Sequence, residues 1–385
     1  MSYKLSEICE YAKDRVDVAK LNYRTYISTE NMLPNKGGIT IATTLPSVKQ
    51  TQGFKVGDIL VSNIRPYFRK IWKAEFEGGC SNDVLVFRAK KEVNKEYLYY
   101  VLSDDTFFEY SMATSKGTKM PRGDKKALMD YLVPEHDNYS QKIIASLLKP
   151  IDELISNNEN INKNLEQQAQ ALFKAWFVDF EAFSGEKPNG WISAKLGNIA
   201  EISTSSFSPA KNPDAVVEHY SIPAFDEKKY PVFEVADDIK SNKYILSPNS
   251  VMISKLNPDT KRVWRPYCIS PLAISSTEFI VFEAKNLAYR DFVYSIIDSD
   301  AFSNHMCAHT SGSTNSRQRT MPKTTLDFEF ILPTEDVILD FCEIVTPMYN
   351  LIQANVIENQ HLAEARDILL PKLMSGELDI TEIDI

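Results

Sequence analysis

The sequence predicts an α+β protein built as a tandem pseudo-repeat: two globular domains separated by two long helices that form an antiparallel coiled coil. Three observations predict it. Segments of the first half return in order in the second at offsets of 191 to 197 residues, and a repeat decides an architecture before any local pattern does. Each copy opens with short strands rich in β-branched and aromatic residues around one helical stretch. Each closes with a Gly-poor run whose apolar residues come back every 3.5 positions.

The repeat is legible segment by segment. Residues 4–10 (KLSEICE) return as 195–201 (KLGNIAE), residues 58–66 as 250–258, and residues 69–73 as 261–265. At offset 195, residues 81–87 meet 276–282, and Asp105-Thr106-Phe107 meets Asp300-Ala301-Phe302. Gly117 matches Gly312, after which the second copy carries an insertion before Met321-Pro322-Lys323 resumes the pattern of Met120-Pro121-Arg122. In the first copy strands are expected at 58–64, 83–89 and 131–133, with a single helical stretch over 95–112. Residues 1–140 and 184–335 then form the globular parts, and 141–183 and 336–385 the helical regions. The turn-rich stretch 184–190 joins the copies.

In the first long helix Ile151, Asn158, Leu165 and Leu172 occupy one heptad seam, with Leu154, Ile161, Gln168 and Ala175 as its companion. The second gives Met348, Asn355, Leu362 and Leu369, with Leu351, Glu358, Ala365 and Lys372, all at the constant offset 197. Such a stripe must be covered by another helix, and the sister copy is the comparable one. A two-fold pairing makes the two antiparallel, and a lone Asn at the same seam position of both is what register selection requires. About 30 helical residues at ~1.5 Å each would span ~45 Å. The alternative is that each helix packs only on its own globular part.

The composition, 43% hydrophobic and 25% charged over 385 residues, excludes a disordered, collagenous or disulfide-scaffold chain. The start of the chain is polar and no apolar run approaches the ~18 residues of a membrane span, so neither a signal peptide nor an anchor is expected and a cytoplasmic location is. Five scattered cysteines without a C-x-x-C favour reduced core thiols. The net charge of −9 argues against a nucleic-acid partner only until it is resolved along the chain. Residues 1–140 carry 21 basic and 18 acidic side chains, whereas residues 336–385 carry 2 and 10. Basic residues cluster at equivalent places in both copies: Arg65, Arg69, Lys70 and Lys73 against Lys255, Lys261, Arg262 and Arg265, and Lys116, Lys119, Arg122, Lys125 and Lys126 against Arg317, Arg319 and Lys323. Lys and Arg beside Ser, Thr, Asn and Gln neutralise phosphates and read base edges. A solvated charged surface is the bland alternative, and recurrence in diverged copies favours a shared function.

No catalytic constellation is visible. A P-loop, G-x-S-x-G and H-E-x-x-H are absent, and Asn212-Pro213-Asp214 and Asn257-Pro258-Asp259 lack the second proline and the aromatic of an amino-methyltransferase loop. His305, Cys307 and His309 would share one face of a strand, but three ligands without a fourth, and without a counterpart in the first copy, give no zinc site. No metal is expected, and these side chains are expected in the core or a groove.

Taken together the residues carry a resemblance: the chain resembles the specificity (S) subunit of a type I restriction-modification system, over essentially its whole length. The most specific pieces are residues 172–180 (LFKAWFVDF) and 369–378 (LLPKLMSGEL), supported by the opening of copy two at 191–199, Lys-Leu-x-x-Ile at the start of both copies, and Leu132-Val133-Pro134 with Ile331-Leu332-Pro333. The resemblance implies two target recognition domains, each reading one half of an asymmetric bipartite site in double-stranded DNA. It also implies paired helices that set the spacing and dock two modification subunits, with restriction subunits completing the complex. The chain itself would then be non-catalytic and hold no cofactor; S-adenosylmethionine belongs to the partner methyltransferase, and ATP and Mg to the restriction subunit. Contacting loops vary within the family, so the candidate DNA-binding residues rest on the charge argument. A different class of reading is a coiled-coil adaptor whose globular ends bind proteins without touching DNA.

Overall fold

A computed structural model describes residues 2–311 and 318–380, in two compact units: Met1–Leu154 with Leu362–Ile385, and Ile155–His361. In the first unit a four-stranded antiparallel sheet runs in the order Cys9–Tyr11, Val84–Ala89, Ile59–Ser62, Ile71–Lys73. All four residues of Ile59–Ser62 are buried, because the sheet is covered on both faces. Strand alternation sends Ile59, Val61, Leu85 and Phe87 to one side, against Tyr97, Val101, Phe107 and Ile144. Leu60, Trp72, Val84 and Val86 go to the other side, against Phe54 and Cys80. That is why this strand reads as an unbroken apolar run.

The second unit builds the same sheet from Ala200–Ser203, Phe279–Ala284, Ser250–Ser254 and Val263–Trp264. The register is also the same. Ile59, Leu60, Val61 and Ser62 face Phe87, Val86, Leu85 and Val84, and Val251, Met252, Ile253 and Ser254 face Phe282, Val281, Ile280 and Phe279. A slip of one residue would turn each apolar set to the wrong face, so the two copies keep the pairing while their loops change length. A second sheet packs beside each of these: Arg15–Asp17, Gln50–Phe54, Gly78–Cys80 and Tyr26–Ile27 in the first unit, and five strands ending at the edge strand Val232–Val235 in the second. Two-stranded ribbons, Ser2–Lys4 with Leu132–Pro134 and Ile192–Lys195 with Glu329–Leu332, tie the ends of each globular part together.

The single helix expected over 95–112 is two helices, Lys95–Ser103 and Asp105–Ala113. Asp104 between them is extended (φ −62°, ψ 139°) and its carboxylate accepts the Thr106 amide at 2.8 Å, which starts a new helix in place of continuing the old one. Ser299 does the same in the second copy, between Arg290–Ile297 and Asp300–Ala308.

The long helices are Asn138–Phe177 and Glu335–Ser375. In the second unit Asn158 donates to Glu358 Oε2 (2.8 Å) and Asn359 Oδ1 (2.9 Å), and Asn355 donates to Asn162 Oδ1 (2.8 Å), so the two segments run antiparallel. In the first unit Arg366 meets Asp152 at 2.8 Å in the same sense. On the main seam Asn158 and Asn355 are buried, and Ile151, Leu165, Leu172, Met348, Leu362 and Leu369 are half-buried. The companion seam is not the expected one. Leu154, Ile161 and Leu351 are exposed at 40%, 43% and 47%, while Ile155, Asn162, Ala169, Trp176, Ile352, Asn359, Arg366 and Leu373 turn inward. The inward step is i+4, and apolarity misled because this layer buries amides that satisfy one another.

Candidate nucleic-acid interface

The site grows out of a turn that follows the central strand in each copy. Ser62 Oγ donates to the Ile64 carbonyl (3.2 Å), and Ser254 Oγ to the Leu256 carbonyl (3.0 Å). The chain then turns left-handed at Arg65 (φ 50°) and at Asn257 (φ 48°), ahead of a buried proline, Pro66 or Pro258. The Phe68 amide returns to the Arg65 carbonyl at 3.0 Å and the Thr260 amide to the Asn257 carbonyl at 2.9 Å. The chain rejoins the sheet through Ser62 N–H to the Lys70 carbonyl (3.0 Å) and Ser254 N–H to the Arg262 carbonyl (2.9 Å). A left-handed conformation costs a side chain such as Arg65 on the order of 1 kcal/mol, so the turn is held by its surroundings.

Those surroundings are the other basic loop. Ile64 bridges to Arg122, the Arg65 amide donates to the Pro121 carbonyl at 2.8 Å, and Lys116 and Arg122 exchange both backbone bonds at 2.9 and 3.0 Å. In the second copy Leu256 bridges to Arg319, the Asn257 amide donates to the Gln318 carbonyl at 2.9 Å, and the Thr320 amide to the Lys255 carbonyl at 3.0 Å. In both copies, then, the two sequence clusters form one surface. A third loop of the first copy, absent from the sequence reading, joins it: Asn35 and Lys36 donate their amides to the Phe68 and Arg69 carbonyls at 2.8 and 2.9 Å, both with positive φ (54° and 62°). The sequence signal was Pro34-Asn35-Lys36-Gly37-Gly38, which marks a turn but not where it lands.

The candidate cations divide by partner. Arg69 shares Asp105 with Lys36, each at 3.0 Å. Lys70 donates to the Thr29 carbonyl (2.7 Å) and lies 5.7 Å from the Phe68 ring centre, where burial pulls its pKa down. Lys116 pairs with Asp124, and Arg122 with Asp83 at 3.3 Å. In the second copy Lys261 pairs with Asp298 at 2.9 Å, Arg262 grips Asp226 through two nitrogens (2.6 and 2.9 Å), and Arg319 grips Glu278 likewise (2.9 and 3.1 Å). The more exposed of these pairs, Lys116–Asp124, Arg122–Asp83 and Arg319–Glu278, are worth ~0–1 kcal/mol and exchange readily for a phosphate. Lys119, Lys125, Lys255 and Lys323 make no ion pair among the described residues, and Arg317 lies outside them.

Two candidates are placed elsewhere. Lys73 pairs with Glu96, and its counterpart Arg265 with Asp291 at 2.8 Å, with side chains only 7% and 3% exposed in the second pair. Arg265 also donates to Asn350 (2.7 Å) and Gln353 (3.2 Å) on the long helix. Burial alone would raise the Asp291 carboxyl, but Arg265 and Arg290 hold it below its usual range. Each copy supplies a carboxylate at the same helix position, which holds Arg265 inside the fold and Lys73 in a half-buried ion pair.

The histidine cluster is not a strand. Asp300–Ala308 is a helix started by Ser299 and capped by His309, whose ring lies tilted against that of His305 (ring centres 4.3 Å apart), while Cys307 is exposed. Among the described residues no group of three or more His, Cys, Asp or Glu is placed to hold a metal ion. Cys9, Cys80 and Cys342 are buried, with thiols pushed up to about 12, about 12 and about 11 by desolvation. No helix among the described residues is long and apolar enough to cross a membrane.

Comparison with known proteins gives these loops a context. The family model described as type I restriction modification DNA specificity domain matches residues 1–167. The type I restriction enzyme HindI specificity subunit of Haemophilus influenzae is 24% identical over an alignment covering 98% of this chain and 99% of that one. The MjaIX specificity subunit of Methanocaldococcus jannaschii is 26% identical over 76% and 71% of the two chains. Over its full length, then, the chain is similar to type I restriction-modification specificity subunits. A crystal structure of the S subunit from M. genitalium, 15% identical and covering 99% of this chain and 96% of that chain, has the same fold at a TM-score of 0.55.

Proposed function

We propose that residues 1–140 and 184–335 are two target recognition domains, each reading one half of an asymmetric bipartite site in double-stranded DNA. The observation that carries this reading is the pair of basic loops, separate in sequence, that the same backbone bonds join into one surface in both copies. Lys116, Lys119, Arg122 and Lys125 in the first domain, and Lys255, Arg319 and Lys323 in the second, lie on phosphates and fix each turn against a major groove. The helical regions 141–183 and 336–385 set the separation of the half-sites and dock two modification subunits, and restriction subunits complete the complex. The bound modification subunit flips an adenine out of the stack and methylates N6 from its own S-adenosylmethionine, while ATP and Mg serve the restriction subunit.

The test is the salt dependence of DNA binding by the complex with its modification subunits. Affinity falls steeply as salt rises if phosphates are neutralised, and each of Lys119→Ala and Lys323→Ala lowers the slope of log K against log salt by about 1. An adaptor that never touches DNA shows neither effect.

A further inference from the structure

The two turns have one frame and different tips. Serine bond, left-handed residue, buried proline, return bond and bridge to the second basic loop all coincide, yet the two residues after the proline are Tyr67-Phe68 in the first copy and Asp259-Thr260 in the second. Resting on the reading above, we infer that these tips are the equivalent base-reading positions of the two domains. In this inference Tyr67-Phe68 reads a thymine by apolar contact with its methyl group, and Asp259 reads a cytosine through its exocyclic amine.

The tip of the first domain is apolar and outward. Tyr67 and Phe68 are 50% and 37% exposed, with ring centres 4.7 Å apart, between two left-handed arginines. Water gains nothing from two exposed aromatic rings in a strained turn, whereas a base edge does. Apart from the tyrosyl hydroxyl the tip has no side-chain donor or acceptor, so in the major groove its match is the C5-methyl of thymine. The tip of the second domain is the reverse. Asp259 is exposed and makes no ion pair among the described residues, although Lys261 and Arg262 follow it closely; those two are committed to Asp298 and Asp226. A carboxylate accepts and never donates, which in the major groove selects the N4 amine of cytosine. The neighbouring Lys255, exempt from any ion pair among the described residues, offsets its charge against the phosphates.

The experiment uses the full chain assembled with its modification subunits, and genome-wide methylation mapping to read both half-sites. Asp259→Asn is expected to move one position of one half-site from cytosine towards adenine, since an amide pairs with adenine N6 and N7, and to leave the other half-site and the spacing alone. In the half-site that Asp259→Asn leaves unchanged, replacing thymines singly by deoxyuridine is expected to weaken binding roughly threefold to tenfold at one position, the scale of a lost methyl contact. Tyr67→Ser with Phe68→Ser abolishes that sensitivity, and Tyr67→Phe, which keeps the rings, retains it. An Asp259→Asn complex that binds with normal salt dependence and methylates the unchanged motif overturns the inference and leaves DNA reading intact. So does a first half-site in which no thymine methyl matters. Binding indifferent to salt and to Lys119→Ala overturns instead the reading on which the inference rests.

Discussion

Arg265 and Lys119 carry the same charge to opposite ends. Arg265 is spent on a buried carboxylate and two helix amides, so Arg265→Ala leaves Asp291 charged, buried and short of its main partner. Loss of one member of a buried pair costs about 3–5 kcal/mol; denaturant unfolding followed by the fluorescence of Trp176, Trp191 and Trp264, all in the second unit, should show that loss. Lys119→Ala should leave the same curve in place and act only on DNA affinity. The Asp291 carboxyl also sets a pH dependence. Held below its ordinary range when folded, it contributes stability that is complete above that range and drains away as pH falls through the folded value. The second unit should therefore weaken as pH drops below about 4, and Asp291→Asn should flatten that slope; an unchanged slope would mean that other carboxylates dominate. None of this division was legible in the sequence, where Arg262 and Arg265 are neighbours in one basic cluster. Charge is written locally, but its partner lies 26 residues further on, at a helix position that only the folded register brings alongside.

At the scale of elements, what the sequence displayed best was what packing constrains on every residue. The central strands could be aligned across copies because each side chain has an assigned face, and an error of one residue would bury the wrong set. The helix seam was half legible. Leu154 and Ile161 looked inward by composition and are exposed, whereas Asn162 and Asn359, which belong to neither expected seam, line the pair. Four asparagines, equivalent in twos, bond across the helices, and Asn359 also donates to the Ile155 carbonyl at 3.2 Å. Such a layer stabilises little compared with leucine but penalises every other register, because a shifted amide is left unpaired. Asn158→Leu with Asn355→Leu should hold or raise the unfolding midpoint while the methylation map shows more than one spacing between half-sites. A single sharp spacing in that variant would place register control elsewhere in the helices. The reading surface was legible only in part: both basic clusters were visible, but their junction rests on backbone bonds such as Arg65 to Pro121, and the 33–38 loop joins through backbone too, where side-chain identity leaves no trace.

For the whole molecule, duplication explains why the overall charge misleads. The net −9 is concentrated in residues 336–385, while the loops of both globular parts stay basic, so the sign of the sum says little about the surfaces that matter. Duplication also fixes where the helices can be lengthened without disturbing them. Equivalent residues lie 197 apart, and Asn158 bonds to Asn359 as Asn355 bonds to Asn162. One point in each helix is therefore both equivalent to and facing its partner: after Asn160 and after Ile357. Seven residues inserted at both points keep the heptad phase and leave all four asparagines opposite their partners, whereas four residues would rotate the seam. At ~1.5 Å per residue the insertion adds about 10 Å, or roughly three base pairs at ~3.4 Å each. The methylated site of such a complex should keep both half-site sequences and gain about three unread base pairs between them. If the spacing stays as it was, the helices do not set it. If either half-site sequence changes, the helices reach further into base reading than the loop geometry allows.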